Sequence, residues 1–156
     1  IYLHRRRINA TQNAGLLDKS VGGHVSSRDS YSLTMAKECA EELGVPVAIF
    51  SEKEFSAAVQ KIDLSVLGVF KEIDSISKFE SKRKINDSND FIQLHMTKMY
   101  LGYYDGPFRF IDGECAGIEL MYPNELKKAL QQYPERFTED IKYMFDQYSK
   151  LLKSLS

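Results

Sequence analysis

Gly23-His24-Val25-Ser26-Ser27-Arg28-Asp29, then seven residues, then Lys37-Glu38-Cys39-Ala40-Glu41-Glu42-Leu43-Gly44-Val45, is the stretch on which the fold of this chain turns. From Ser30 to Leu43, apolar or small residues recur at Leu33, Ala36, Ala40 and Leu43, the spacing of one helix face. Ser26, Ser27 and Asp29 offer capping groups upstream, and Gly44 offers a stop. On such a helix Glu38, Glu41 and Glu42 stand at i, i+3 and i+4, so their carboxylates leave from one face close to each other. Three anions so placed repel. Either the face is splayed into water or a divalent cation neutralises it, and hard oxygen ligands suit Mg²⁺ or Mn²⁺. Acidic helix faces are common on ordinary domains, so the residues around this one must decide between the two readings.

Working outward, Ile1–Leu3 reads as a short strand, followed by the basic run Arg5-Arg6-Arg7 and a polar loop. Residues 16–25 look strand-like and close on Gly22-Gly23, where a tight turn is expected. Val45–Phe50 and Leu64–Ile73 read as two strands with a polar connection between them. The polar, charged stretch Asp74–Asp90 reads as a mobile loop. A long strand from Phe91 to Tyr104, the turn Asp105-Gly106-Pro107, and Phe108–Ile111 together signal a hairpin. Ala116–Tyr122 is a further strand. Pro123 opens a helix through Gln132, with proline in its favoured first-turn position. A last helix begins near Thr138; its apolar stripe, Ile141, Met144, Phe145, Tyr148, Leu151, Leu152 and Leu155, needs covering by the sheet or by a second subunit, so a homodimer is open. Strands mixed with three helices argue for one α/β domain over residues 1–156.

The chain's 156 residues, 43% of them hydrophobic, suffice for one real core. A net charge of -1 shows neither a nucleic-acid footprint nor an acidic tail, so partners must be argued from sites instead. Cys39 and Cys115 are too few and too badly spaced for a disulfide framework or a zinc site, which suits a reducing, cytoplasmic setting. No apolar run approaches the ~20 residues of a membrane helix, so a soluble protein is expected. The chain opens without Met on what reads as the middle of a strand, and residues before Ile1 are expected to be missing from this numbering.

The stretch from Gly23 to Val45 closely resembles the Nudix box: glycine, five residues, Glu, seven residues, Arg-Glu, an aliphatic, any residue, Glu-Glu, any residue, glycine, an aliphatic. The spacing is unbroken, and Asp29, Lys37 and Cys39 depart from its Glu, Arg and aliphatic positions. In the family the first Glu and the Arg hold loop and helix together, and Asp29 with Lys37 preserves both charges. The resemblance implies an α/β/α sandwich with a mixed sheet and a loop–helix–loop. In it Glu38, Glu41 and Glu42, helped by the Gly23 carbonyl, hold Mg²⁺ or Mn²⁺ against a diphosphate, and Glu38 and Glu41 are the expected catalytic residues. Glu114, in Asp112-Gly113-Glu114, lies where many members place an extra glutamate, and a surface turn residue is the alternative.

Lys19-Ser20-Val21-Gly22-Gly23-His24-Val25 and Tyr122-Pro123-Asn124-Glu125-Leu126 look like the isopentenyl-diphosphate isomerase branch and its hydrolase relatives. The isomerases carry a catalytic cysteine where this chain has Gly22, and rely on a tryptophan where this chain has none. Hydrolysis of a diphosphate in a nucleoside diphosphate derivative or related organic diphosphate is therefore the expectation. An isomerase-like enzyme and a non-catalytic ligand-binding module are the alternatives. His24 matches a metal-binding histidine of the isomerases, or packs beside the glycine turn. Arg5 and Arg7 could meet a substrate phosphate, or be solvated edge charges. His4 and His95 read as structural histidines, Cys39 as a small buried hydrophobe, and the aromatic run Tyr100–Phe110 as packing.

Overall fold

In a computed structural model that describes residues 1–83, 91–111 and 113–153, the chain is a mixed α/β protein. Its elements run β1 (Tyr2–Arg6), β2 (Leu17–Asp18), α1 (Tyr31–Leu43), β3 (Val47–Ile49), α2 (Glu52–Lys61), β4 (Gly68–Arg83), β5 (Phe91–Tyr103), β6 (Cys115–Leu120), α3 (Pro123–Gln132) and α4 (Glu139–Lys153), with a short 3₁₀ turn at Pro134–Arg136. The strands form two three-stranded sheets, ordered β2-β1-β6 and β3-β4-β5. β1 pairs antiparallel with both neighbours, while β3 and β4 run parallel.

The α/β class follows the sequence, but four elements differ. Of the strand-like stretch 16–25 only Leu17–Asp18 pairs as a strand, opposite β1, and no tight turn forms at Gly22-Gly23. The connection after β3 is the helix α2, because the Glu54 carboxylate reaches back to the Ser51 amide and hydroxyl and caps its first turn. β4 continues through residues expected to be loop as far as Arg83; the rest of that expected loop, 84–90, lies outside the described residues. Phe108–Ile111 is not a strand, since the Arg109 amide donates to the Leu43 carbonyl at the end of α1 and Phe108 packs edge-on to Tyr104.

The chain divides into two compact units. One gathers Ile1–Ser20, Glu80–Leu94 and Glu114–Ser156; the other gathers Val21–Phe79 and His95–Gly113. The first is built around Leu3, Leu17, Leu126, Phe137 and Ile141, with Leu130 and Phe145 packed against them. That core covers the inner part of the α4 stripe, so β1, β2 and α3 supply the cover its periodicity demands. The second unit has a cluster of Phe55, Ala58 and Val69, with Tyr103 among the residues against it. No helix of the described residues is long and apolar enough to cross a membrane.

Buried charges lock α4 in the first unit. Asp140 accepts from the Ser81 hydroxyl at 2.6 Å and pairs with Lys19 at 3.2 Å and Arg83 at 3.5 Å. Asp18 accepts from the Thr138 hydroxyl at 2.7 Å and from the Lys19 amide at 2.8 Å. Burial alone would raise the Asp18 carboxyl, but Lys19, the Thr138 and amide hydrogen bonds and Arg6 outweigh it and hold the group below its ordinary value. Burial would likewise lower Lys19, yet Asp18 and Asp140 raise it above its ordinary value.

A depressed carboxyl contributes stability that is present above about pH 3.9 and lost as pH falls through the lower folded value. A raised lysine contributes stability that is present below about pH 10.4 and lost as pH rises through the higher one. Asp140→Asn, which leaves Lys19 and Arg83 short of a countercharge, should lower stability by on the order of 3 kcal/mol in urea unfolding at pH 7. Wild-type stability should fall as the pH drops below about 3.9, where the contribution of the depressed Asp18 carboxyl is lost.

Candidate functional site

The loop–helix stretch lies wholly in the second unit. Ser30, rather than the residues expected upstream, is the N-cap of α1, and its hydroxyl accepts from the Leu33 amide at 3.1 Å. Gly44 ends the helix at φ 65°, where its amide donates to Ala40 and that of Val45 to Cys39. Val45 is then buried, so the glycine–aliphatic pair both terminates the helix and anchors the segment leading into β3. Lys37 Nζ meets Asp29 Oδ2 at 2.8 Å and ties the loop to the helix, as the two substituted charges imply.

The glutamates divide by burial. Glu42 is buried at 6% exposure, Glu38 is half-buried and Glu41 is exposed. Gly23 lies so close to Glu38 that a Cβ at this position would run into its carboxyl group. Because φ at Gly23 is not positive, the glycine is required here by close approach rather than by handedness. Between the acidic residues sits Cys39, fully buried and 3.7 Å from the Met35 sulfur, whose thiol is pushed up to about 12 by burial and by Glu42 and Glu38. It therefore stays protonated near neutrality and is no nucleophile.

Among the described residues, no group of three or more His, Cys, Asp or Glu is arranged to hold a metal ion. The donors nevertheless have the right chemistry for a hard cation: the Gly23 backbone against the Glu38 carboxylate, with two more carboxylates one helical turn further on.

The other expected residues are placed variously. Glu114 is exposed just before β6, in the first unit. Arg5 forms an ion pair with Glu119, which also meets Arg136 at 3.3 Å, and donates to the Gly15 carbonyl, so its guanidinium has a structural occupation. Arg7 is exposed in the turn after β1. His4 is buried in β1.

Two features escaped the sequence. Tyr31 donates its hydroxyl to the Met96 carbonyl at 3.3 Å and carries Lys98 Nζ 5.5 Å from its ring centre, so the start of α1 is tied to β5. His24 faces His95 of β5, with ring centres 5.4 Å apart. Both pairs join residues distant in sequence, and no local spacing signals them.

No protein-family model matches the chain, and no curated protein matches it. Among solved structures it is similar to the crystal structure of DR0079 from Deinococcus radiodurans, with 19% identity, 94% of this chain and 72% of that chain covered, and a TM-score of 0.61. At that identity the likeness is one of fold alone.

Gly44→Ala would force a left-handed alanine against the backbone and Cβ of Arg109, and should cost at least about 1 kcal/mol in denaturant unfolding. With Cys39 and Cys115 both buried, the folded protein should resist iodoacetamide at pH 8 and react with it only after unfolding.

Proposed function

We propose that this chain is a metal-dependent hydrolase of the Nudix type that cleaves the diphosphate linkage of a nucleoside diphosphate derivative or a related organic diphosphate. The observation that carries the reading is the close approach of Gly23 to Glu38, secured from the loop side by the Lys37–Asp29 pair. It puts a box glycine and a box glutamate together, in a stretch whose spacing resembles the Nudix box throughout.

In this reading Gly23, Glu38, Glu41 and Glu42 hold the cation, with Glu114 as a further candidate. When bound, Mg²⁺ or Mn²⁺ supplies positive charge against the phosphate oxygens and makes water more acidic. Glu38 and Glu41 are the groups to orient the attacking water and take its proton. Exposed Glu41 is open to solvent and substrate, whereas half-buried Glu38 is braced by the Gly23 backbone. Gly22 stands where the isomerases carry the cysteine that protonates or deprotonates the isoprenoid, and Cys39 is buried, which favours hydrolysis by water over cysteine-dependent isomerisation. Arg5 and Arg7 are proposed phosphate contacts, of which Arg7 is the more available, Arg5 being paired with Glu119.

The test is product release from a panel of nucleoside diphosphate derivatives and isoprenoid diphosphates with Mg²⁺ or Mn²⁺. Wild type should turn over at least one of them, and Glu41→Gln or Glu42→Gln should reduce the rate on the order of 10²-fold or more with the fold intact. Ligand binding without turnover in wild type and variants alike would favour a binding module, and conversion of isopentenyl diphosphate to its isomer would favour an isomerase. Gly23→Ala should lower turnover with little change in melting temperature, since the residue is exposed and its constraint is local.

A further inference from the structure

We propose that His95 is a positioning residue which, through its ring contact with His24, holds the glycine loop so that Gly23 stays against Glu38; its functional meaning rests on the hydrolase reading above. The loop itself is poorly secured. Gly22, Gly23, His24 and Val25 are all exposed and adopt no regular structure, and the two glycines widen the conformations open to the backbone. Among the described residues, no hydrogen bond ties any of these four to the rest of the chain. Yet the loop approaches Glu38 more closely than any side chain at position 23 would allow.

Something other than backbone pairing must therefore hold it, and the His24 ring is the group that reaches out. It meets His95 at 5.4 Å between ring centres and a 57° tilt, inside the range where aromatic rings attract. The two ends of this contact differ in rigidity. His95 belongs to β5, is half-buried and has its Nε2 atom buried, while His24 stands on the exposed loop. The strand ring is thus the fixed platform and the loop ring is the movable part. Both residues lie in the second unit together with Glu38. The Lys37–Asp29 pair secures the far end of the same loop, so His95 supplies a second fastening at the glycine end.

The test is a double-mutant cycle read by the rate at which subtilisin nicks the Gly22–Val25 segment of the folded chain, together with Mn²⁺ binding to the full chain followed by the spin resonance of free Mn²⁺. His95→Ala and His24→Ala should each speed nicking of this segment by about 2- to 10-fold, the effect of losing one ring pair, and the double variant should go no further than either alone. His95→Phe, which keeps a ring but no imidazole, should restore slow nicking. His95→Ala should also weaken Mn²⁺ binding several-fold, and His95→Phe should restore it.

Unchanged nicking in both single variants, or effects that add in the double variant, would overturn the proposal. His24→Ala guards against misfolding in the strand variant, because its side chain is on the surface. If wild type takes up no Mn²⁺, the hydrolase reading fails and the positioning role fails with it, while the nicking cycle still reports whether the rings fasten the loop.

Discussion

The approach of the Gly23 backbone to the Glu38 carboxyl is the constraint around which the loop–helix region is organised. Only a residue without a side chain fits there, so the loop must be glycine-rich at the point where it most needs holding. Flexibility and close approach come from the same atom's absence, and fastenings must be found elsewhere. The Lys37–Asp29 ion pair and the His24–His95 rings serve that purpose, one at each end of the loop. α1 is in turn fixed by Ser30 at its start and by left-handed Gly44 at its end.

Burial sorts the acidic face into three different environments. Glu42 is interior, Glu38 lies at the boundary and Glu41 is in solvent. Burial first, and then the neighbouring Glu42 and Glu38 carboxylates, make Cys39 a thiol that resists ionisation. The first unit uses charge differently. There Asp18, Lys19, Asp140 and Arg83 neutralise each other out of water and dock the start of α4, a rigid arrangement with no need of a ligand.

α1, α3 and β5 were legible because their signals are local: helical spacing closed by a glycine stop, a proline at the first turn, a long stretch rich in apolar residues; the cap of α1 is Ser30, just beyond the candidates Ser26, Ser27 and Asp29. α2 was equally local, for Ser51 and Glu54 stand at capping-box spacing, but the polar composition between the strands concealed it. β4 extends further than its composition suggests because its second half alternates charged and small residues with little apolar content, and its pairing within a sheet overrides that weak propensity. The hairpin expected after Gly106 failed because the Arg109 amide is engaged by the end of α1, which no turn signal foretells.

The sequence by itself determined the α/β class, the box helix with its glycine stop, and the spacing of Glu38, Glu41 and Glu42, because periodicity and capping act within a few residues. Only the tertiary structure decided which of those glutamates is buried, that Gly23 touches Glu38, that Arg5 is engaged by Glu119, and that His24 rests on His95. Each of these depends on segments far apart in the chain meeting through packing, and contacts of that kind leave no mark on local spacing.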